Sequence, residues 1–136
     1  MTNEQVARIL RGAACFNLAG GISIIFLSDL VGPWVHFDVG RNMLFRLFVG
    51  GTAVLFGVAY LHAASAEARR ATVLLYGSVL KYWAFAISLL CYFFFGLSGT
   101  MLLVFGVTNL CFALLFTRVL AVGKEVLPGP SRSATT

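Results

Sequence analysis

The sequence has too few charged side chains to cover a water-soluble globule of its size. Charged residues make up 11% of the 136 residues, as ten Lys and Arg and five Asp and Glu, whereas 60% are hydrophobic. Soluble domains are roughly one quarter charged, so this composition argues against a soluble domain. Intrinsic disorder is excluded too, because the chain contains 13 Phe, 4 Tyr and 2 Trp. An integral membrane protein remains.

Redox and metal chemistry have little support in the sequence. The three cysteines, Cys15, Cys91 and Cys111, lie within apolar runs and form no CxxC motif, which argues against a disulfide framework or a zinc site. His36 and His62 belong to opposite ends of the predicted bundle, so they cannot form a haem pair. With no Gly-rich phosphate loop and no Ser/His/Asp set at one depth, we predict no catalytic residue, no metal ligand and no intrinsic cofactor.

Four apolar runs have the length that a membrane-spanning helix needs. A span takes about 20 apolar residues at about 1.5 Å per residue, and the runs cover residues 9–30, 43–64, 71–95 and 101–121. Because backbone groups in lipid must bond within their own segment, each run predicts a helix. The sequence thus predicts one all-α domain, 1–125, forming a four-helix membrane bundle, with a disordered cytoplasmic tail over 126–136.

Local motifs mark the ends of these helices. The T-x-x-Q motif at residues 2–5 matches a helix-capping box, and Gly32-Pro33 predicts the end of the first helix. A Gly-rich turn over 96–100 joins the third and fourth helices. The 31–42 connection fits either an ordinary interfacial loop or a segment that lies over one end of the bundle.

Basic residues predict the orientation of the bundle. With both termini in the cytoplasm, Arg41 and Arg46 lie at the outer side, and Lys81 belongs to neither side. Seven others lie at the inner side, and the positive-inside rule therefore favours this orientation. The seven are Arg8, Arg11, Arg69, Arg70, Arg118, Lys124 and Arg132.

Three spans each place one polar side chain at a similar depth. Counted at about 1.5 Å per residue from the inner arginines, Asn17, Lys81 and Asn109 lie roughly 9, 16 and 13 Å into their spans. A lysine at mid-span costs about 2.5–3.5 kcal/mol on insertion scales, and no Asp or Glu shares its depth. These three residues are therefore ligand-binding candidates, although Lys81 could instead form structural bonds or extend towards the headgroups.

Arg46 is a further ligand-binding candidate, near the outer end. Asp29 lies at the same level and predicts an ion pair that ties the first two spans together, with Asp38 as another candidate partner. The alternative is that Arg46 recognises an anion or a headgroup at the outer leaflet.

Small residues on the second span predict close helix packing. Gly50, Ala53 and Gly57 share one face, and Gly20-Gly21 in the first span offers a matching surface. Lipid supplies no hydrophobic drive between helices, so close backbone approach is a main source of contact. We interpret these residues as structural and as packing within the chain.

Short motifs in all four spans together form a recognisable pattern. They are Phe16-Asn17-Leu18-x-x-Gly21, Phe45-Arg46-x3-Gly50-Gly51-x5-Gly57-x2-Tyr60, a basic Arg69-Arg70 turn, Gly77-x3-Lys81 and Asn109-Leu110. The pattern, over about residues 7–120, resembles small bacterial four-helix membrane proteins of the DoxX-like type. The resemblance implies a multi-pass protein of the bacterial inner membrane and an association with quinone-linked sulfur oxidation or redox-stress complexes.

The leading hypothesis is a non-catalytic membrane protein. It would bind a lipid, a quinone or another amphiphile, or serve as an accessory subunit of a membrane redox complex. A small oligomeric transporter or channel for an anion or small solute is the alternative, for which Lys81 and Arg46 would provide the charge. No carboxylate lies deep in a span, which argues against a proton-coupled exporter. Membrane lipid, a second copy or a complex subunit are the expected partners, and nucleic acid is not.

Overall fold

The computed structural model describes residues 1–35 and 43–126, with side chains over 1–34, 43–44 and 46–122. Four long helices, one short α-helix and a 3-10 turn at Glu67–Arg69 form this part of the chain. The helices are α1 (Asn3–Phe26), the short α2 (Ser28–Val35), α3 (Met43–Ser65), α4 (Arg70–Phe94) and α5. Helix α5 is continuous over Gly99–Met101, a π-helical stretch at Leu102–Val107, and Thr108–Val126.

Four segments are long and apolar enough to cross a membrane. They are Asn3–Phe26, Arg46–Ser65, Glu67–Phe94 and Gly99–Val122. Each overlaps one predicted run, which confirms the all-helical fold with four membrane-length helices. Large apolar side chains such as Phe48, Leu55 and Phe94 remain exposed on the outside of the bundle, as expected where lipid replaces water.

The first helix begins at the capping box that the sequence predicts. The Thr2 hydroxyl accepts a hydrogen bond from the backbone N–H of Gln5 at 3.2 Å, and the Gln5 side chain accepts from the N–H of Thr2 at 2.9 Å. This reciprocal capping box starts α1 at Asn3, six residues before the predicted apolar run.

The predicted helix end at Gly32-Pro33 is wrong. The break lies at Leu27, whose φ of −117° and ψ of 9° leave the helical region. The Leu27 N–H still donates to the Ser23 carbonyl at 2.9 Å, and its carbonyl accepts from the N–H of Val31 at 2.8 Å, so α2 follows at once. Pro33 lies within α2, close to its end, where the loss of one N–H disturbs few bonds.

The turn between α4 and α5 lies where the sequence predicts it. Gly96 adopts a φ of 72°, a left-handed conformation that glycine adopts at little cost. The Leu97 N–H donates to the Cys91 carbonyl at 3.1 Å, and the Ser98 hydroxyl accepts from the Met101 N–H at 3.1 Å. The predictions for His36, Asp38, Arg41 and the tail beyond Val126 fall outside the described residues.

The long helices pack as two pairs, α1 with α3 and α4 with α5. In the first pair the backbones approach closely: a Cβ on Gly21 would lie 2.6 Å from the Gly50 carbonyl oxygen, and a Cβ on Gly57 would lie 2.7 Å from the Leu18 side chain. Gly50 and Gly57 thus face α1. Their partner surface contains Gly21 and not Gly20, which has open space around it.

One half of the bundle, called the closed half here, has a continuous apolar core. It lies at the end where α1 begins and α5 ends, and both helix pairs contribute to it. Its buried members are Val6, Ala7, Leu10, Ala13, Ala14, Tyr60, Ala63, Ala64, Leu74, Phe116 and Val119.

Arg70 joins the two helix pairs at the end of the closed half, next to the start of α1 and the end of α3. Its Nε donates to the Ala63 carbonyl at 3.0 Å and its Nη2 to the Ala64 carbonyl at 2.8 Å. These carbonyls belong to the last turn of α3, which has no intrahelical donors for them. A longer hydrogen bond of 3.4 Å joins Nη1 to the Asn3 side chain on α1.

Candidate ligand-binding site

Lys81 lies on the inward face of α4 and is 1% exposed. Its Nζ donates to Oδ1 of Asn17 on α1 at 3.1 Å and to Oδ1 of Asn109 on α5 at 3.0 Å. The three residues predicted at one depth therefore meet, and we call them the Lys81 cluster. The ammonium group bonds inside the bundle and does not extend to its surface.

Asn109 is held in the orientation that Lys81 requires. Its Nδ2 donates to the carbonyl oxygen of Phe105 at 2.8 Å, so its Oδ1 faces the ammonium group. Phe105 belongs to the π-helical stretch, and such wide turns recur at functional sites. The sequence gives no sign of this stretch, because its residues continue the apolar pattern of the span.

Three aromatic rings surround the Lys81 ammonium group. Its Nζ lies 5.3 Å from the ring centroid of Phe16, 5.6 Å from that of Tyr60 and 5.1 Å from that of Phe112. The π faces of aromatic rings attract cations at such distances. The depth of polar residues along the spans does not predict that these rings belong to the site. Phe112 follows Asn109 by one helical turn, so helical periodicity could have found it.

No acidic side chain balances Lys81 among the described residues. The ion pairs in this part of the chain are Arg8–Glu4, Arg46–Asp29 and Arg70–Glu67. Buried charges in proteins are normally paired. Here the positive charge is met by two amide oxygens and three ring faces, all of which are neutral.

A half-open cavity of about 670 Å³ lies directly beside the Lys81 cluster, in what we call the hollow half of the bundle. Asn17, Lys81 and Asn109 line one end of it, and residues of α1 to α5 form its walls. Its volume falls in the range of roughly 300–1,000 Å³ typical of small-molecule sites. Most wall residues are apolar, among them Ile24, Phe56, Trp83, Ile87 and Val104.

Ser28 supplies a polar atom at the far end of the cavity. Its side chain is 8% exposed, and its hydroxyl has no hydrogen-bond partner among the described residues. Ser28 follows Asn17 by eleven residues, across the break at Leu27 that separates α1 from α2. The cavity therefore has a polar cluster at one end, the Ser28 hydroxyl towards the other and mostly apolar walls that also include Ser23 and Thr52.

Arg46 is not part of this site. Its guanidinium Nη1 and Nη2 donate to the two carboxylate oxygens of Asp29 at 3.1 and 2.7 Å. The pair that the sequence predicts is thus formed, and it joins α3 to α2. Of the four candidate ligand-binding residues, the structure brings together Asn17, Lys81 and Asn109 and leaves Arg46 apart.

Tyr60 lies behind the Lys81 cluster, in the closed half. The residue is fully buried, and its hydroxyl has no hydrogen-bond partner in the described part of the chain. A Cβ on Gly77 would lie 2.8 Å from that oxygen, so α3 and α4 meet closely here. Ser78, also on α4, donates to the Leu75 carbonyl at 2.8 Å and not to a group of the Lys81 cluster.

The described residues contain no group of three or more His, Cys, Asp and Glu that could hold a metal ion. Cys15, Cys91 and Cys111 are free. Comparisons with models of protein families, with curated proteins and with solved structures found no match.

Proposed function

We propose that this protein is a non-catalytic membrane protein that binds one amphiphilic molecule, such as a lipid or a quinone, in its hollow half. The polar head of the ligand would contact the Lys81 cluster, and its apolar part would fill the cavity. One observation carries the proposal: a mostly apolar cavity ends on a buried lysine and a half-buried amide whose hydrogen-bond donors the described residues leave incompletely used.

The donors of the cluster support this orientation of the ligand. An ammonium group has three N–H donors, and the hydrogen bonds of Lys81 to Asn17 and Asn109 use two of them. The Nδ2 of Asn17 forms no hydrogen bond that the structure describes, and Asn17 lines the cavity. A head group with acceptor oxygens therefore fits this end.

We also propose the bacterial inner membrane as the location, both termini in the cytoplasm, and kinship with DoxX-like proteins. The charge distribution supports the orientation, because the described basic residues gather at the closed end, whereas the outer Arg46 is paired with Asp29. An accessory role in a redox complex fits the same cavity. An anion transporter has weaker support, since Arg46 lies outside the cavity. The basic residues at the closed end, which support the proposed orientation, are Arg8, Arg11, Arg69, Arg70 and Arg118.

Native mass spectrometry of the full chain, purified in a mild detergent, tests the binding proposal. We expect the wild-type protein to carry one bound amphiphile per chain and Lys81→Met to lose most of that occupancy. Arg118→Met is the matched control, because it removes an exposed cation from α5, and its occupancy should match the wild type. Equal occupancy in Lys81→Met, or an empty wild-type protein, would contradict the proposal.

A further inference from the structure

We infer that the ligand of the hollow half is a single-chain carboxylate amphiphile whose head supplies the counter-charge for Lys81. The inference rests on the proposed function and adds the chemical class of the ligand. Three observations support it: the unbalanced charge of Lys81, the unused donors of Lys81 and Asn17, and the shape of the cavity.

Charge is the first observation. Lys81 is 1% exposed and forms no ion pair among the described residues. Its two acceptors are neutral amide oxygens, and the three rings around it stabilise a cation without neutralising it. A buried ion without an opposite charge is costly. One monoanionic head next to Nζ makes the site neutral overall.

The number of free donors is the second observation. The third N–H of Lys81 forms no hydrogen bond that the structure describes, and neither does the Nδ2 of the half-buried Asn17. Lys81 and Asn17 are neighbours in space, and their two donors match the two oxygens of a carboxylate. Phosphate recognition usually involves arginine or several N–H groups, and Arg46 is engaged with Asp29 outside the cavity. A phosphate monoester such as oleyl phosphate would also bring more negative charge than one lysine balances.

The shape of the cavity is the third observation. The cavity follows α1 from Asn17 to Ile24 and then reaches Ser28, Val31 and Gly32 of α2. Its walls are mostly apolar along this length, with the hydroxyls of Ser23 and Thr52 among them. A single hydrocarbon chain fits such walls, and it would run away from the Lys81 cluster towards Ser28.

Competition between ligands with one hydrocarbon chain and different heads tests this inference. The delipidated full chain is offered an equimolar mixture of oleate, oleyl phosphate and oleyl alcohol, and the adducts are counted by native mass spectrometry. We expect oleate to exceed oleyl alcohol by about tenfold or more, as a charged hydrogen bond would give, and to exceed oleyl phosphate. The mass of any co-purified adduct distinguishes a free fatty acid from a larger lipid with a carboxyl group.

Asn17→Asp places a carboxylate of the protein where we expect that of the ligand. In this variant, and in Lys81→Met, the preference for oleate over the alcohol should disappear. Asn3→Asp is the matched control, because it adds the same charge to an exposed position of α1, and it should keep the preference. Circular dichroism confirms that each variant is folded.

The outcomes separate the two proposals. Equal binding of oleate and oleyl alcohol by the wild type would overturn the carboxylate inference and leave amphiphile binding intact. Stronger binding of oleyl phosphate would also overturn it. Binding of none of the three, with no co-purified amphiphile, would overturn the proposed function as well. A preference that persists in Asn17→Asp would show that charge on Lys81 does not select the ligand.

Discussion

At the scale of single residues, the bundle surrounds the buried Lys81 with neutral groups, whereas the buried Arg46 is paired with Asp29. A hydrogen bond that involves a charged group contributes more than one between neutral groups, and the loss of one partner leaves the other unsatisfied. Lys81 and Asn109 should therefore be strongly coupled, and Asn109 also depends on its bond to Phe105.

A double-mutant cycle between Lys81 and Asn109 tests this coupling. We expect Asn109→Leu to lower the free energy of unfolding by about 1–3 kcal/mol, because Lys81 loses an acceptor in the interior. In the Lys81→Met background, Asn109→Leu should lower the free energy of unfolding by less than it does in the wild type. The difference between the two effects, the coupling energy, should be about 0.5–3 kcal/mol. Equilibrium unfolding in mixed detergent micelles measures all four proteins.

Thr117→Val is the control for this cycle. Thr117 lies on the same helix and bonds to the Ala113 carbonyl and to Tyr82, away from Lys81. Its cost should be the same with and without Lys81. Additive costs for Lys81→Met and Asn109→Leu would mean that their hydrogen bond contributes nothing to stability.

The sequence predicts part of this site. Depth counting brings Asn17, Lys81 and Asn109 to one level, since polar residues in a span are rare enough to stand out. It does not identify Phe16 and Phe112, because aromatic residues are common throughout apolar spans. Which of them meet a cation depends on how the helices rotate against each other, and one sequence does not specify that rotation.

At the scale of helices, the contact between α1 and α3 depends on two glycines that face each other. A side chain on Gly21 would meet the backbone oxygen of Gly50, which cannot move aside as the end of a flexible side chain could. At the neighbouring Gly20 and Gly51, an added methyl group would have no atom within 4 Å. Alanine at Gly20 therefore serves as the control on α1, and alanine at Gly51 as the control on α3.

Gly21→Ala should destabilise the protein by about 1–3 kcal/mol, the usual cost of overpacking. Gly20→Ala should be neutral or should stabilise by up to about 1 kcal/mol, because alanine favours the helical state. The free energy of unfolding of the two variants, measured side by side, checks this difference. If Gly21→Ala were as stable as Gly20→Ala, α1 and α3 would not be in backbone contact.

Helix ends and helix irregularities differ in how well a sequence predicts them. The capping box at residues 2–5 and the turn at Gly96 involve residue types with a strong local preference. The π-helical stretch at Leu102–Val107 lies in continuous apolar sequence, so local pattern does not reveal it. The break at Leu27 precedes Ser28 and Asp29, residue types that favour a helix start, whereas Gly32-Pro33 gives a stronger break signal at the wrong place.

At the scale of the whole molecule, the number of spans follows from length and hydropathy, and the pairing of the helices does not. Every apolar span offers lipid and neighbouring helices a similar surface, so which helices pair depends on fine shape, as at Gly21 and Gly50. The predicted orientation depends on where the basic residues lie and can be tested independently of any ligand.

Cysteine labelling in spheroplasts tests the orientation. In a background with Cys15, Cys91 and Cys111 replaced by alanine, Trp34→Cys should react with a membrane-impermeant maleimide, because we expect α2 at the outer side. Ala68→Cys, in the turn before α4, should react only after lysis. A permeant maleimide should label both and serves as the control. The reverse pattern would place both termini outside.

The division of the bundle into two halves has a consequence for motion. Every hydrogen bond that the structure describes between the two helix pairs involves Lys81 or lies in the closed half, as with Arg70. Regions with few buried contacts open at a lower free-energy cost than well-packed ones. We therefore expect the two pairs to separate more easily at the hollow end than at the closed end, with Lys81 near the pivot. A guest molecule could enter sideways from the bilayer without unfolding any helix.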